Sequence, residues 1–219
     1  MNIYVVVEGN STEPKIYRNW IPLVNDKLTP VSYLPEVQAN NFIIVSGNGY
    51  PFMLKIIANA IEDIRANPVF TRLVVAVDSE DLSHQQRFKQ IEDHILANNP
   101  PCQYKIIVQH FCLEAWALGN RHFVPRIPKD ETLKKYKQHY DVWVNDPELL
   151  PPYPLQELNR AQLAERYLRT AIRDKGAHLT YTKSKPDVVV HASYFAQLKS
   201  RLQDTGHIPS FQSFIDAFT

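Results

Sequence analysis

Short apolar runs rich in β-branched residues alternate with stretches of helical periodicity through the first half of the chain. Residues 3–8, 41–46, 72–78 and 104–109 each read as a strand: brief, apolar and free of internal proline. That composition suits strands buried on both faces of a parallel sheet. Three helical patterns separate them. The first runs from Glu13 to about Leu28, with Ser11 or Thr12 as N-cap and Pro14 in its first turn. The second, over 51–66, sets Met53, Ile56, Ile57, Ala60, Ile61 and Ile64 on one face. The third covers about 83–97. The order β-α-β-α-β-α-β predicts a four-stranded, mainly parallel sheet with right-handed crossovers, a Rossmann-like α/β core flanked by helices.

Beyond residue 110 the pattern changes. Phe111-Cys112-Leu113-Glu114-Ala115-Trp116-Ala117-Leu118 predicts a short apolar helix carrying one acid. A Pro-, Lys- and Tyr-rich stretch over about 121–154 predicts an irregular loop with one short helix near 130–138. Helices follow over 156–175, 187–203 and 209–218, with a loop at Tyr181-Thr182-Lys183-Ser184-Lys185-Pro186. The expected division is a core over 1–120 and a mostly helical extension over 121–219 packed on it.

Composition narrows the class. At 219 residues, 44% hydrophobic and 21% charged, the chain is ordinary globular material rather than disordered or fibrous. No apolar run approaches the ~20 residues that cross a bilayer. Glu8 interrupts the first apolar stretch, which begins without positive charge, so no signal peptide is expected. Two cysteines, Cys102 and Cys112, offer neither a disulfide framework nor metal-ligand spacing, and a reduced, cytoplasmic setting follows. Residues 1–100 carry 8 Lys/Arg against 11 Asp/Glu, and residues 101–219 carry 16 against 12. If this split has meaning, acid gathers at a metal and base where a phosphate backbone lies; a random spread of surface charge accounts for it as well.

Two of the strands end in acid. Val5-Val6-Val7 runs into Glu8-Gly9, and Val74-Val75-Ala76-Val77 runs into Asp78-Ser79-Glu80-Asp81. Carboxyl ends of strands in open α/β sheets border the ligand crevice. Mg²⁺ commonly takes one or two carboxylates and completes its octahedron with water and phosphate. Glu8, Asp78 and Glu80 are therefore the candidate metal ligands, with Glu8 also a general acid/base and Asp81 a spare acid. A competing reading makes Glu80 and Asp81 an acidic cap on the next helix.

Glu8-Gly9-Asn10-Ser11-Thr12-Glu13-Pro14, followed by Asp78-Ser79-Glu80, resembles the TOPRIM superfamily. Within it the sequence is similar to the RloB-like and OLD-like branches, whose first strand ends in a Glu-Gly…Thr-Glu signature. Phe111-Cys112-Leu113-Glu114-Ala115-Trp116 is similar to the Phe-, Glu- and Trp-bearing segment of RloB-like proteins. The resemblance covers about residues 1–120. It implies a Mg²⁺- or Mn²⁺-dependent nuclease hydrolysing phosphodiester bonds of DNA or RNA with one or two ions, in the manner of bacterial antiphage defence. It gives Glu8 the strand-one glutamate role, Asp78 the first position of the Asp-x-Asp motif and Glu80 the second, where the family usually has Asp. Glu13 and Glu114 become further metal ligands. RloB-like and related TOPRIM proteins are often encoded beside an ATPase, so the resemblance also implies an ABC-type ATPase partner, an activity this chain, with no P-loop, does not itself carry; a homo-oligomer is left open. A non-catalytic partner subunit of an ATPase-containing complex is the alternative.

For the substrate phosphate, Lys183 and Lys185 are the candidate bases, Lys183 with a catalytic role. Arg160, Arg166, Arg169 and Arg173 recur along one helix and are candidates for tracking a nucleic-acid backbone. A solvated helix face explains them equally well. The eight histidines show no metal spacing, although His110 and His122 flank the Glu114 segment. Trp116 and Trp143 read as packing residues. A receiver-like phosphoacceptor domain is disfavoured by the single acid ending strand one. The chain is too short for a separate topoisomerase domain and lacks the zinc module of a primase.

Overall fold

The structure, a computed structural model, describes residues 1–153 and 157–219. The chain forms two compact units: residues 1–78, 83–108 and 213–219 make one, and residues 79–82 and 109–212 the other. The expected boundary at 120/121 thus falls inside the second unit, and the chain returns to the first at Ser213.

The first unit is α/β. Its strands are β1 (Ile3–Val7), β2 (Thr29–Pro30), β3 (Asn41–Ser46), β4 (Arg72–Asp78) and β5 (Gln103–Gln109), in the order β2-β3-β1-β4-β5. Strand β1 is parallel to β3 and β4, with Val7 opposite Ser46 and Ala76, and β2 is parallel to β3. The sheet therefore has five strands rather than the four expected. The missed one is two residues long, too short to show a period of two. It also contains Pro30, which is tolerated only at an edge because it has no N–H for the ladder.

Helices α1 (Thr12–Val24), α2 (Phe52–Ala66) and α3 (His84–Ala97) supply the crossovers. Helix α1 stops four residues before the expected Leu28, with Pro22 inside its last turn. On one sheet face Tyr4, Val6, Leu73, Val75 and Val77 pack with Met53, Ile57 and Ile61 of α2 and Ile91 and Ile95 of α3. The alternate residues Ile3, Val5, Val7, Val74 and Ala76 are as deeply buried. Covering on both faces is what the uninterrupted apolar strands require. At the chain's end Phe214 meets Tyr17 and Trp20 of α1 edge-on, with ring centroids 5.0 and 6.0 Å apart.

The second unit is helical, built from α4 (Leu113–Ala117), α5 (Glu131–His139), a 3₁₀ turn at Pro147–Leu149, α6 (Arg160–Lys175) and α7 (Ala192–Thr205); α8 (Phe211–Phe218) closes the chain. Helix α6 starts four residues later than the spacing predicts, because Asn159 caps it reciprocally with Gln162. Pro154 of the expected loop and residue 156, the expected first residue of that helix, lie outside the described residues. Among the described residues, no helix is long and apolar enough to cross a membrane.

Candidate functional site

In the first unit the acids gather where strands end. The Glu8 N–H donates to the Ala76 carbonyl at 3.0 Å, extending the β1–β4 ladder one residue beyond Val7. The Glu8 side chain then turns onto the neighbouring strand. Its Oε2 accepts the backbone N–H of Asp78 at 3.0 Å, and its Oε1 accepts that of Tyr50 at 3.3 Å. The Glu8 carbonyl also accepts the Gly49 N–H at 2.9 Å. One residue therefore ties the ends of β1 and β4 to the turn after β3. That turn is the expected Gly47-Asn48-Gly49, with Asn48 and Gly49 at φ 57° and 85°.

Glu13 belongs to the same arrangement. Its carboxylate lies where a Cβ on Gly9 would stand, so the glycine of the Glu-Gly…Thr-Glu run makes room for the second glutamate. Ser46 donates to the Gly9 carbonyl at 2.8 Å and fixes the loop between them. Close by, Arg87 of α3 is buried and sets its guanidinium 4.1 Å over the Tyr50 ring. Nothing in the sequence pattern singled out this arginine, which sits in a polar stretch of α3.

Among the described residues no three His, Cys, Asp or Glu side chains stand close enough to share a metal ion. The donors that the strand ends offer are hard carboxylate oxygens. A pair of them suits Mg²⁺, whose remaining positions go to water and phosphate.

The second unit holds the rest of the acid loop. Glu80 is exposed, with a left-handed backbone (φ 51°) and an N–H that donates to the Phe111 carbonyl at 3.0 Å. Ser79 is fully buried; its N–H donates to the Gln109 carbonyl at 3.0 Å, and its hydroxyl meets His110 Nδ1 at 2.8 Å. On the other side of the ring Arg160 approaches His110 Nε2 at 3.4 Å. A guanidinium only donates, so Nε2 is the acceptor, Nδ1 carries the proton and His110 donates to Ser79. Ser79 is thereby held rather than activated as a nucleophile. Arg160 is fixed in turn by lying 4.1 Å over the Phe111 ring and donating to the Glu148 carbonyl at 3.0 Å. Burial lowers its pKa first of all, with Cys112, Asp81 and Glu148 pulling the other way. The chain Arg160–His110–Ser79 was missed from sequence because its members are 31 and 50 residues apart. The one signal was a serine between two acids at a strand end.

Glu114 is 4% exposed and accepts the Tyr181 hydroxyl at 2.8 Å. Tyr181 thereby anchors the loop carrying Lys183 and Lys185, whose side chains are exposed on a turn bridged between Thr182 and Lys185. Of the arginines of α6, Arg166, Arg169 and Arg173 lie along one exposed face, while Arg160 is half-buried. Arg160 turns inward, Arg166 holds the Tyr136 hydroxyl, Arg169 reaches Glu165 at 4.0 Å and Arg173 pairs with Asp130 at 3.4 Å. Arg166 and Arg173 therefore brace α6 against α5. Trp116 is fully buried and donates to the Ser210 hydroxyl at 2.7 Å, as a packing residue should.

A surface concavity lined by Pro100, Pro101, Cys102, Gln103, Tyr104 and Lys105 lies at the amino end of β5, opposite the strand ends that carry acid. No protein-family model matches the chain, and no curated protein or solved structure is significantly similar to it.

Proposed function

We propose that the protein is a metal-dependent phosphodiesterase acting on nucleic acid, with Glu8 and Asp78 at its centre. The observation that carries this reading is the Glu8 carboxylate folded across two adjacent parallel strands onto the Asp78 backbone at 3.0 Å. Two acids from neighbouring strand ends, with Glu13 closing over Gly9, are what a hard divalent cation would use, leaving its other positions to water and a phosphate. Glu8 and Asp78 would hold Mg²⁺ or Mn²⁺, and an ion bound there supplies positive charge for a phosphate and acidifies a bound water. The chain's own contributions are positional. The Asp78 and Tyr50 N–H groups aim the Glu8 carboxylate, and His110 and Arg160 hold the loop that carries Glu80 and Asp81. Lys183 and Lys185, exposed on the second unit, would offer positive charge to phosphate, while the buried Glu114 enters only by holding Tyr181 of their loop.

A second reading has its own support. Both Glu8 oxygens already accept backbone N–H groups, as expected if the acid only braces the strand ends of a non-catalytic partner subunit of an ATPase complex. Assay on plasmid, single-stranded DNA and RNA separates the two. The catalytic reading expects hydrolysis with Mg²⁺ or Mn²⁺, none with chelator, and a loss of at least 100-fold in Glu8→Gln and Asp78→Asn. Hydrolysis that survives both substitutions rules out the centre. No hydrolysis of any substrate by the unaltered protein favours the bracing role.

A further inference from the structure

The second unit carries a cationic and aromatic cluster that the acid centre does not use. The guanidinium carbons of Arg121 and Arg126 stand 5.2 and 5.4 Å from the centre of the Trp143 ring. Arg121 Nε donates to the Trp143 carbonyl at 2.9 Å, and Arg201 Nη1 donates to the same oxygen at 3.0 Å. Three guanidinium groups thus converge on one tryptophan. Arg201 is buried, held by the Val142 and Asn145 carbonyls, and serves as the floor. Its pKa is lowered to about 10, by burial first and then by Arg121, while Asp146 and Asp141 oppose the shift. Arg121 and Arg201 thus repel one another.

Arg121 and Arg126 pair with no carboxylate among the described residues, and Arg126 is exposed. Beside them two apolar side chains face solvent, Ile127 at 84% and Val144 at 54% exposure. Unneutralised guanidinium groups stacked at an indole, bordered by exposed apolar side chains, match a flexible polyanion that has flat apolar faces of its own. Duplex DNA hides those faces in its stack, whereas a single strand offers both phosphates and bases.

We propose that Arg121, Arg126 and Trp143 form a binding surface for single-stranded nucleic acid, with the guanidinium groups taking phosphates and the Arg–Trp stack meeting bases. The proposal rests on the phosphodiesterase reading for its place in a reaction, but binding is measurable without hydrolysis. The test is fluorescence anisotropy of a labelled oligothymidylate, titrated with the full chain in chelator over a series of NaCl concentrations. The unaltered protein is expected to bind with strong salt dependence. Arg126→Ala should weaken binding about three- to tenfold and reduce the slope of log K against log salt by about 0.7, one single-strand phosphate contact. Arg126→Lys should keep the slope. Arg126 makes no hydrogen bond among the described residues, so its loss leaves the fold intact; Arg121→Gln provides a second variant.

Equal affinity and slope in Arg126→Ala and Arg121→Gln overturn the proposal, as does absence of binding by the unaltered protein. Duplex bound as tightly as single strand, or displacement by polyglutamate at equal charge, overturns the assignment of the ligand. Because the titration contains no metal, a failed surface with intact hydrolysis, or the reverse, shows which of the two readings has fallen.

Discussion

Glu148 is 3% exposed, yet its carboxyl accepts the Ser210 hydroxyl at 2.6 Å and the Ser210 N–H at 3.1 Å. Those donors favour the charged form. Burial outweighs them and pushes the carboxyl up from 4.5 to about 8. A carboxyl raised in the folded state binds its proton where the unfolded chain has lost it, so folding gains less as pH rises. The contribution is full below about pH 4.5, falls through the window from 4.5 to 8, and is flat above it. At roughly 1.4 kcal/mol per unit it amounts to a few kcal/mol. Glu148→Gln removes the titration. Its melting temperature relative to the unaltered protein should therefore rise by about 5 °C or more between pH 5 and pH 8.5, as differential scanning calorimetry would record. A constant difference would mean that Glu148 stays ionised when folded.

At the scale of elements the proposed centre lies in the strand-end loops, and here Gly9 can be tested. A Cβ at this position meets the Glu13 carboxylate, the far end of a flexible side chain. Gly9→Ala should therefore cost little stability, about 1 kcal/mol or less, while displacing Glu13. If Glu13 serves the centre, hydrolysis falls about tenfold or more with an unchanged melting curve; unaltered hydrolysis would leave Glu13 a packing residue. The long elements were legible beforehand because each had a period to read. Strands β3 and β4 begin and end where the apolar runs predict, and α2 buries Met53, Ile57, Ala60, Ile61 and Ile64 of its expected face. Strand β2 was not legible, since two residues have no period, and α1 ended early at a proline-bearing turn. Side-chain direction was the other gap. Arginines at helical spacing look alike in sequence, but Arg160 turns onto Phe111 and Arg173 toward Asp130.

For the whole molecule, the sequence yielded an α/β sheet and a helical remainder, but not the course of the chain between two compact units. The acid motif itself is divided, with Asp78 in one unit and residues 79–82 in the other. No periodicity marks such a division, because it depends on contacts between residues far apart in sequence. What the sequence did convey was the position of Glu8 and Asp78 at strand ends, and pairing of β1 with β4 makes them neighbours. The phosphodiesterase reading requires these two acids to hold a divalent ion. Calorimetric titration of Mn²⁺ into the unaltered protein and Asp78→Asn tests it without a substrate. Saturable binding that weakens at least tenfold in Asp78→Asn, with the fold intact by circular dichroism, is the expected result. Equal binding in the two proteins, or none in either, would contradict it.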